Sequence, residues 1–271
     1  MKRWVLVLAA CGSHEAPFKA IEIATPPGIS DLTLDDHGHL WAIAERERVA
    51  IELTPDGTIL GTHAVAIPAG VDTEAIAFLG DGRFAIGTEG EDVATASVVW
   101  MKLDDHGALQ EVRERALTDA DLGVTLTNNH GVEALCGHGD ELLVALETVG
   151  TDDHGRYAPL VHLRGDQLTL GKLRLTSDVG KISALACAWK PDGSVDIHAV
   201  ERHYKVSRIL HGTLAAGATD VAPTVELDLE PALHDSLNVE GLVVLPDGKL
   251  VAVNDNQGTT VSGATYLMRF K

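Results

Sequence analysis

The feature that most constrains this chain is a repeat: five segments share one grammar, each about fifty residues on from the last. Each opens with a short apolar strand, here called A, at Ser30-Asp31-Leu32, Thr73-Glu74-Ala75, Val132-Glu133-Ala134, Ile182-Ser183-Ala184 and Val239-Glu240-Gly241. A turn follows, at Asp36-His37-Gly38, Gly80-Asp81-Gly82, Gly137-His138-Gly139, Pro191-Asp192-Gly193 and Pro246-Asp247-Gly248. Glycine accepts positive φ and aspartate caps the turn with its own side chain, so these segments read as tight hairpins. A second apolar strand, B, comes next and ends at an acid each time: Glu45, Glu89, Glu147, Glu201 and Asp255.

The first three repeats continue into a further hairpin, turning at Pro55-Asp56-Gly57, Asp104-Asp105-His106-Gly107 and Arg164-Gly165-Asp166. Four antiparallel strands per repeat make a β-propeller blade. The last repeat runs out after Tyr266–Phe270, one strand short, whereas Phe18–Ile23 precedes the first A strand with no blade of its own. The expected fold is therefore all-β: a propeller of five four-stranded blades, its ring closed by the N-terminal strand. A degenerate blade within 90–128 or 205–237 would make six. A β-sandwich does not explain acids recurring at two fixed places per repeat.

The start of the chain reads as an export signal. Met1-Lys2-Arg3 is basic, the apolar run Trp4–Ala10 is too short to span a bilayer, and Leu8-Ala9-Ala10-Cys11 resembles a bacterial lipobox. The expected division is a signal peptide at 1–10, a lipidated tether at 11–17 and one propeller domain at 18–271. Membrane contact is then through the Cys11 lipid only, at the outer membrane or in the periplasm. A net charge of −19 argues against nucleic acid, which needs Lys and Arg to neutralise phosphates. The remaining thiols, Cys136 and Cys187, sit at nearly matching places in neighbouring repeats, which leaves a disulfide open, but their apolar contexts favour buried free cysteines.

Antiparallel pairing brings the start of A and the end of B to the same edge of a blade. Strand A lines a propeller's axis, so Asp31, Glu74, Glu133 and Glu240 are expected around one channel mouth. Glu45, Glu89, Glu147, Glu201 and Asp255 would form an outer ring. The outer acids suit acceptance of backbone N–H bonds from the next blade. The inner set, together with Asp255, suits a ligand or a hard cation such as Ca²⁺, which takes six to eight oxygens in tolerant geometry. No close His/Cys cluster has zinc-ligand spacing in the sequence. Arg46, Arg202 and His203, just after B-end acids, could hold an anionic group, although ion pairs with those acids are the simpler role. Asp-Asp-His-Gly occurs at 35–38, 104–107 and 152–155 and reads as turn chemistry.

The final repeat carries a family resemblance. Asn238-Val239-Glu240-Gly241-Leu242, Leu245-Pro246-Asp247-Gly248 and Val253-Asn254-Asp255-Asn256 resemble the C-terminal blade of the phytase-like β-propeller family, described by "esterase-like activity of phytase". Asn129–Leu135, Asp72–Ile76 and Val200-Glu201-Arg202 resemble its earlier elements. The resemblance implies an exported propeller and a calcium-assisted hydrolase of phosphate or carboxylic esters. The alternative is a non-catalytic surface that holds a sugar, a peptide or a protein partner.

Overall fold

The computed structural model describes residues 17–45, 47–90, 92–230, 238–256 and 263–271; Cys11 and Arg46 lie outside them. Strand β1 (Phe18–Ile23) comes first, followed by blade 1: β2 (Ile29–Leu34), β3 (Leu40–Ala44), β4 (Val49–Leu53) and β5 (Ile59–Ala64). Blade 2 is β6 (Val71–Gly80), β7 (Arg83–Gly90), β8 (Ala96–Leu103) and β9 (Leu109–Leu117). A single helical turn, α1 (Asp119–Leu122), leads to blade 3: β10 (Val132–His138), β11 (Glu141–Leu146), a short β12 (Gly150–Asp152), β13 (Gly155–Arg164) and β14 (Gln167–Arg174). Blade 4 is β15 (Lys181–Trp189), β16 (Val195–His203), β17 (Val206–Leu214) and β19 (Thr224–Asp228). Before β19, the two-residue β18 (Asp220–Val221) pairs in parallel with β14 of blade 3. Blade 5 is β20 (Asn238–Val244), β21 (Leu250–Asp255) and β22 (Thr265–Phe270), completed by β1 in the register Phe18↔Phe270. The ring has five blades and is closed by the N-terminal strand.

The core is divided among the five seams between neighbouring blades. One cluster joins Trp41, Ile43 and Ala50 of blade 1 to Ile76, Phe84 and Val99 of blade 2, and four others repeat the pattern around the ring. Each seam packs two twisted sheets face to face, so small and branched residues suffice, which is why the chain folds with few aromatics. Near the axis the sheets approach closest. A Cβ on Gly241 would fall 2.7 Å from the Leu32 backbone nitrogen, so glycine is required there.

The hairpin turns behave as their composition dictates. Asp35, Asp104 and Asp152 each accept the backbone N–H two residues on, at 2.9 Å, closing all three Asp-Asp-His-Gly turns. The expectation of free thiols is corrected: Cys136 on β10 and Cys187 on β15 are joined in a disulfide between blades 3 and 4. Their matching places on neighbouring A strands bring the two Cα atoms to 5.7 Å, within disulfide reach. No helix among the described residues is long and apolar enough to cross a membrane.

Candidate functional site at the acidic channel mouth

The site is built by a β-bulge repeated five times. In every blade the A–B pairing skips one residue of the A strand: Ser30, Glu74, Glu133, Ser183 and Glu240. A bulge leaves its extra residue out of the ladder and re-aims its side chain. Three of the five are glutamates and two are serines. Ser183 Oγ donates to the carbonyl of Val239 at 2.8 Å, which ties blade 4 to blade 5.

Register also defines the outer ring. Two residues beyond each bulge toward the mouth, the B-strand partners are Glu89 opposite Asp72, Arg202 opposite Lys181 and Asp255 opposite Asn238. Glu45 and Glu147 hold the same place through their N–H bonds to the carbonyls of Gly28 and Gly131. Blade 4 thus puts Arg202 where the other blades put acids, with Lys181 opposite it. The spacing of the sequence pointed to Glu201 here. Its carboxylate is instead turned aside, accepting from the backbone N–H groups of Thr176 and Ser177, each at 3.0 Å.

Asp31 also sits off the ring that its spacing suggests. It lies one residue past the bulge, fully buried, with Oδ2 accepting from Ile76 N of the next blade at 2.9 Å. Its other carboxylate oxygen is buried with no hydrogen-bond partner. His203 is exposed, set edge-on to Tyr204. Lys181 and Asp72 escaped sequence reading as members of the mouth; the available signal was a polar residue two places before three of the five bulges, at Asp72, Lys181 and Asn238.

The inner glutamates divide into two groups. Arg202 Nε donates to Glu240 Oε2 at 3.0 Å, its Nη2 pairs with Glu240 Oε1, and the same Nη2 stands 3.6 Å from Glu133. Asn238 adds a bond to Glu240 at 2.6 Å. Lys181 pairs with Glu147, and His130 Nε2 stands 3.5 Å from it. Glu74 belongs to the second group: carboxylate oxygens of Glu45, Asp72 and Glu74 all lie within 4.8 Å of one another.

Electrostatics follow from that crowding. Burial, then the charges of Glu133, Glu89, Glu45 and Glu240, hold the Glu74 pKa well above the ordinary carboxylate range. Burial pushes Glu240 up to about 8 against the pull of Arg202. Burial raises Glu89 to about 7, opposed by the N–H bond it accepts from Gly131 at 2.8 Å. Asp31 and Glu133 are raised for the same first reason. Three carboxylates within reach of one point, all oxygen donors, fit a hard cation, whose charge would relieve the repulsion. Arg202 already serves Glu133 and Glu240, so the donor set that fits is Glu45, Asp72 and Glu74 rather than the three bulge glutamates together.

Comparisons with known proteins agree with this architecture. The family model "Phytase-like: Esterase-like activity of phytase" matches residues 25–258. No curated protein matches the chain. Among solved structures, the major Malassezia sympodialis allergen Mala s 1 is similar at 8% identity and TM-score 0.54, covering 93% of this chain and 95% of its own. The soluble aldose sugar dehydrogenase of Escherichia coli is similar at 10% identity and TM-score 0.52, covering 94% and 99%. The PQQ-bound aldose sugar dehydrogenase of Streptomyces coelicolor is similar at 12% identity and TM-score 0.50, with the same coverages. At these identities the likeness is one of fold.

Proposed function

This chain belongs to the phytase-like family, and from that premise we propose that its acidic mouth is a divalent-cation site for hydrolysis of phosphate or carboxylic esters. The observation that carries the reading is the triad Glu45, Asp72 and Glu74, whose carboxylate oxygens lie within 4.8 Å of one another. Ca²⁺ held there would supply positive charge to polarise a substrate oxygen. The residues themselves do the rest. Glu45, Asp72 and Glu74 fix the place of the cation. Arg202 and Lys181 give the opposite side of the mouth positive charge for an anionic group. Glu133, raised in pKa and next to both sets, is placed to take a proton from an attacking water.

A second reading is a non-catalytic mouth that holds a sugar, peptide or protein partner. It is favoured by the serines: Ser183 donates to Val239, and Ser30 Oγ reaches the Gly28 carbonyl at 3.5 Å, so neither is poised as a nucleophile. Turnover of p-nitrophenyl phosphate and p-nitrophenyl acyl esters, with Ca²⁺ and with chelator, separates the two. Cation-dependent turnover lost in Glu74→Gln supports hydrolysis, and no turnover under any condition supports the binding surface.

Export and lipid anchoring at Cys11 form part of the same proposal. The Cys136–Cys187 disulfide supports it, because such bonds persist in oxidising compartments. Labelled fatty acid should enter the wild type and not Cys11→Ala.

A further inference from the structure

Arg48 closes the connection from β3 to β4, which begins at Glu45 of the carboxylate triad. Pairing sets Ile43 opposite Ala50 and Ala44 opposite Val49, so the connection is residues 45–48. Ile43 and Ala50 both face blade 2, in the seam with Ile76 and Phe84. Side chains alternate along a strand, so two residues nearer the mouth the same face carries Glu45 and Arg48, opposite one another. The Arg48 carbonyl accepts from Val65 N at 2.9 Å, which anchors the backbone here to the end of β5.

Three observations set this arginine apart. Its φ is 51°, in the left-handed region where any side chain but glycine is strained, and such strain gathers at ligand-holding segments. Its Nε is buried with no hydrogen-bond partner, and an unmet buried N–H is unfavourable. Finally, among the described residues no carboxylate pairs with its guanidinium, Glu45 across from it included. Arg83, Arg113, Arg164, Arg174 and Arg202 each hold a carboxylate, as expected in so acidic a chain. Nothing among the described residues offsets the strain and the lost hydration of Arg48, so its partner lies outside the chain. That partner must accept hydrogen bonds and carry negative charge. Arg202 and Lys181 already hold Glu240 and Glu147, so they offer an anion their charge rather than free N–H groups.

We propose that Arg48 is the oxyanion-binding residue of the mouth, its guanidinium holding a phosphate or carboxylate group of the ligand beside the triad. The inference rests on the reading of Glu45, Asp72 and Glu74 as a cation site and names the side chain that meets the substrate there. A guanidinium offers a planar fork of N–H donors that matches two oxygens of a phosphate or carboxylate at once. Arg48 is half-buried, so part of the fork is open to a ligand while its stem stays in place. The mouth acids repel an anion until a cation balances them, so Ca²⁺ should strengthen the binding.

The test is calorimetry of the full chain with two oxyanions that cannot be hydrolysed, phenylphosphonate and benzoate, in chelator and in Ca²⁺. Wild type should bind one equivalent of at least one of them, more tightly in Ca²⁺, and the one preferred tells phosphate from carboxylate. Arg48→Gln should weaken that binding at least about tenfold, or 1.4 kcal/mol. Arg48→Lys keeps the charge without the fork and should restore only part of it. Arg48→Gly should lose the anion too, yet melt at a higher temperature than unliganded wild type, because glycine takes φ 51° freely. An arginine kept for the fold would do the reverse, so a lower melting temperature in Arg48→Gly overturns the proposal. Binding of neither anion by wild type does so as well, and so does binding unchanged in both Arg48→Gln and Arg48→Gly. The hydrolytic reading fails separately: anion binding through Arg48 with no ester turnover refutes hydrolysis and leaves Arg48 its role. Turnover that depends on Glu74, with KM unchanged in Arg48→Gln, keeps hydrolysis and removes Arg48 from it.

Discussion

At the scale of single residues, the mouth depends on which carboxylate has a cationic partner. Arg202 stands between Glu240 and Glu133 with little exposure of its own. Arg202→Met would leave two buried acids without their counter-charge, and breaking such a pair costs about 3 kcal/mol or more. The loss should be large at pH 8 and small at pH 5, where the acids can protonate. Urea unfolding at both values checks it, and an equal loss would assign Arg202 a packing role instead. Glu74 is the converse case, surrounded by like charge. Glu74→Gln should raise the melting temperature in chelator, since one repelling charge disappears. It should also remove the gain from Ca²⁺, which at a hundredfold excess over Kd is about 2.7 kcal/mol in wild type. A calcium gain that survives the substitution would place the ion elsewhere.

At the scale of the element, strand pattern and strand register were legible to different degrees. The hairpin turns, the four-stranded grammar and the closing strand are local signals, written in Pro, Asp, Gly and alternation. The bulges are not, because a bulge depends on what the partner strand offers. Counting from the end of the apolar run puts Glu201 in the outer ring, whereas pairing puts Arg202 there and turns Glu201 toward Thr176 and Ser177. Counting likewise groups Asp31 with the glutamates, although Ser30 is the bulged residue. A trace of the bulge is present in Val132-Glu133-Ala134 and Val239-Glu240-Gly241, where a lone acid interrupts a buried run. The Cys136–Cys187 pair was half legible: matching places in neighbouring repeats left a disulfide open, but the apolar contexts favoured free thiols, and only the adjacency of two A strands decides it. That bond closes a loop of sequence separation 51. Replacing both cysteines with serine should cost about 2–4 kcal/mol, measured by urea unfolding of oxidised protein. A cost near zero would show that blade packing alone fixes the seam.

At the scale of the whole molecule, a ring that gathers carboxylates makes stability depend on pH in a predictable sense. Asp31, Glu74, Glu89, Glu133 and Glu240 all have folded-state pKa values above the ordinary range. Such groups bind protons more tightly folded than unfolded, so their contribution is complete below about pH 4, the ordinary carboxylate range. It is lost as pH rises through about 7 for Glu89 and about 8 for Glu240. Surface acids oppose this at the other end. Asp104, Asp121, Asp192, Asp196 and Asp247 are lowered chiefly by hydrogen bonds, so their contribution is lost as pH falls below the ordinary range. His162, lowered by burial, adds stability as pH rises through about 6.5, one group against five. The chelated protein should therefore be most stable near pH 5 and weaken steadily toward pH 8.5. Saturating Ca²⁺ should flatten that decline, because the cation takes over the role of the protons among the mouth acids. Urea midpoints at pH 5, 6.5 and 8, with chelator and with Ca²⁺, give the comparison. A chelated midpoint that rises from pH 5 to pH 8 would mean that the mouth acids are not held above their ordinary pKa. Parallel curves with and without Ca²⁺ would mean that their charge is balanced within the chain, by Arg202 and Lys181, rather than by a metal.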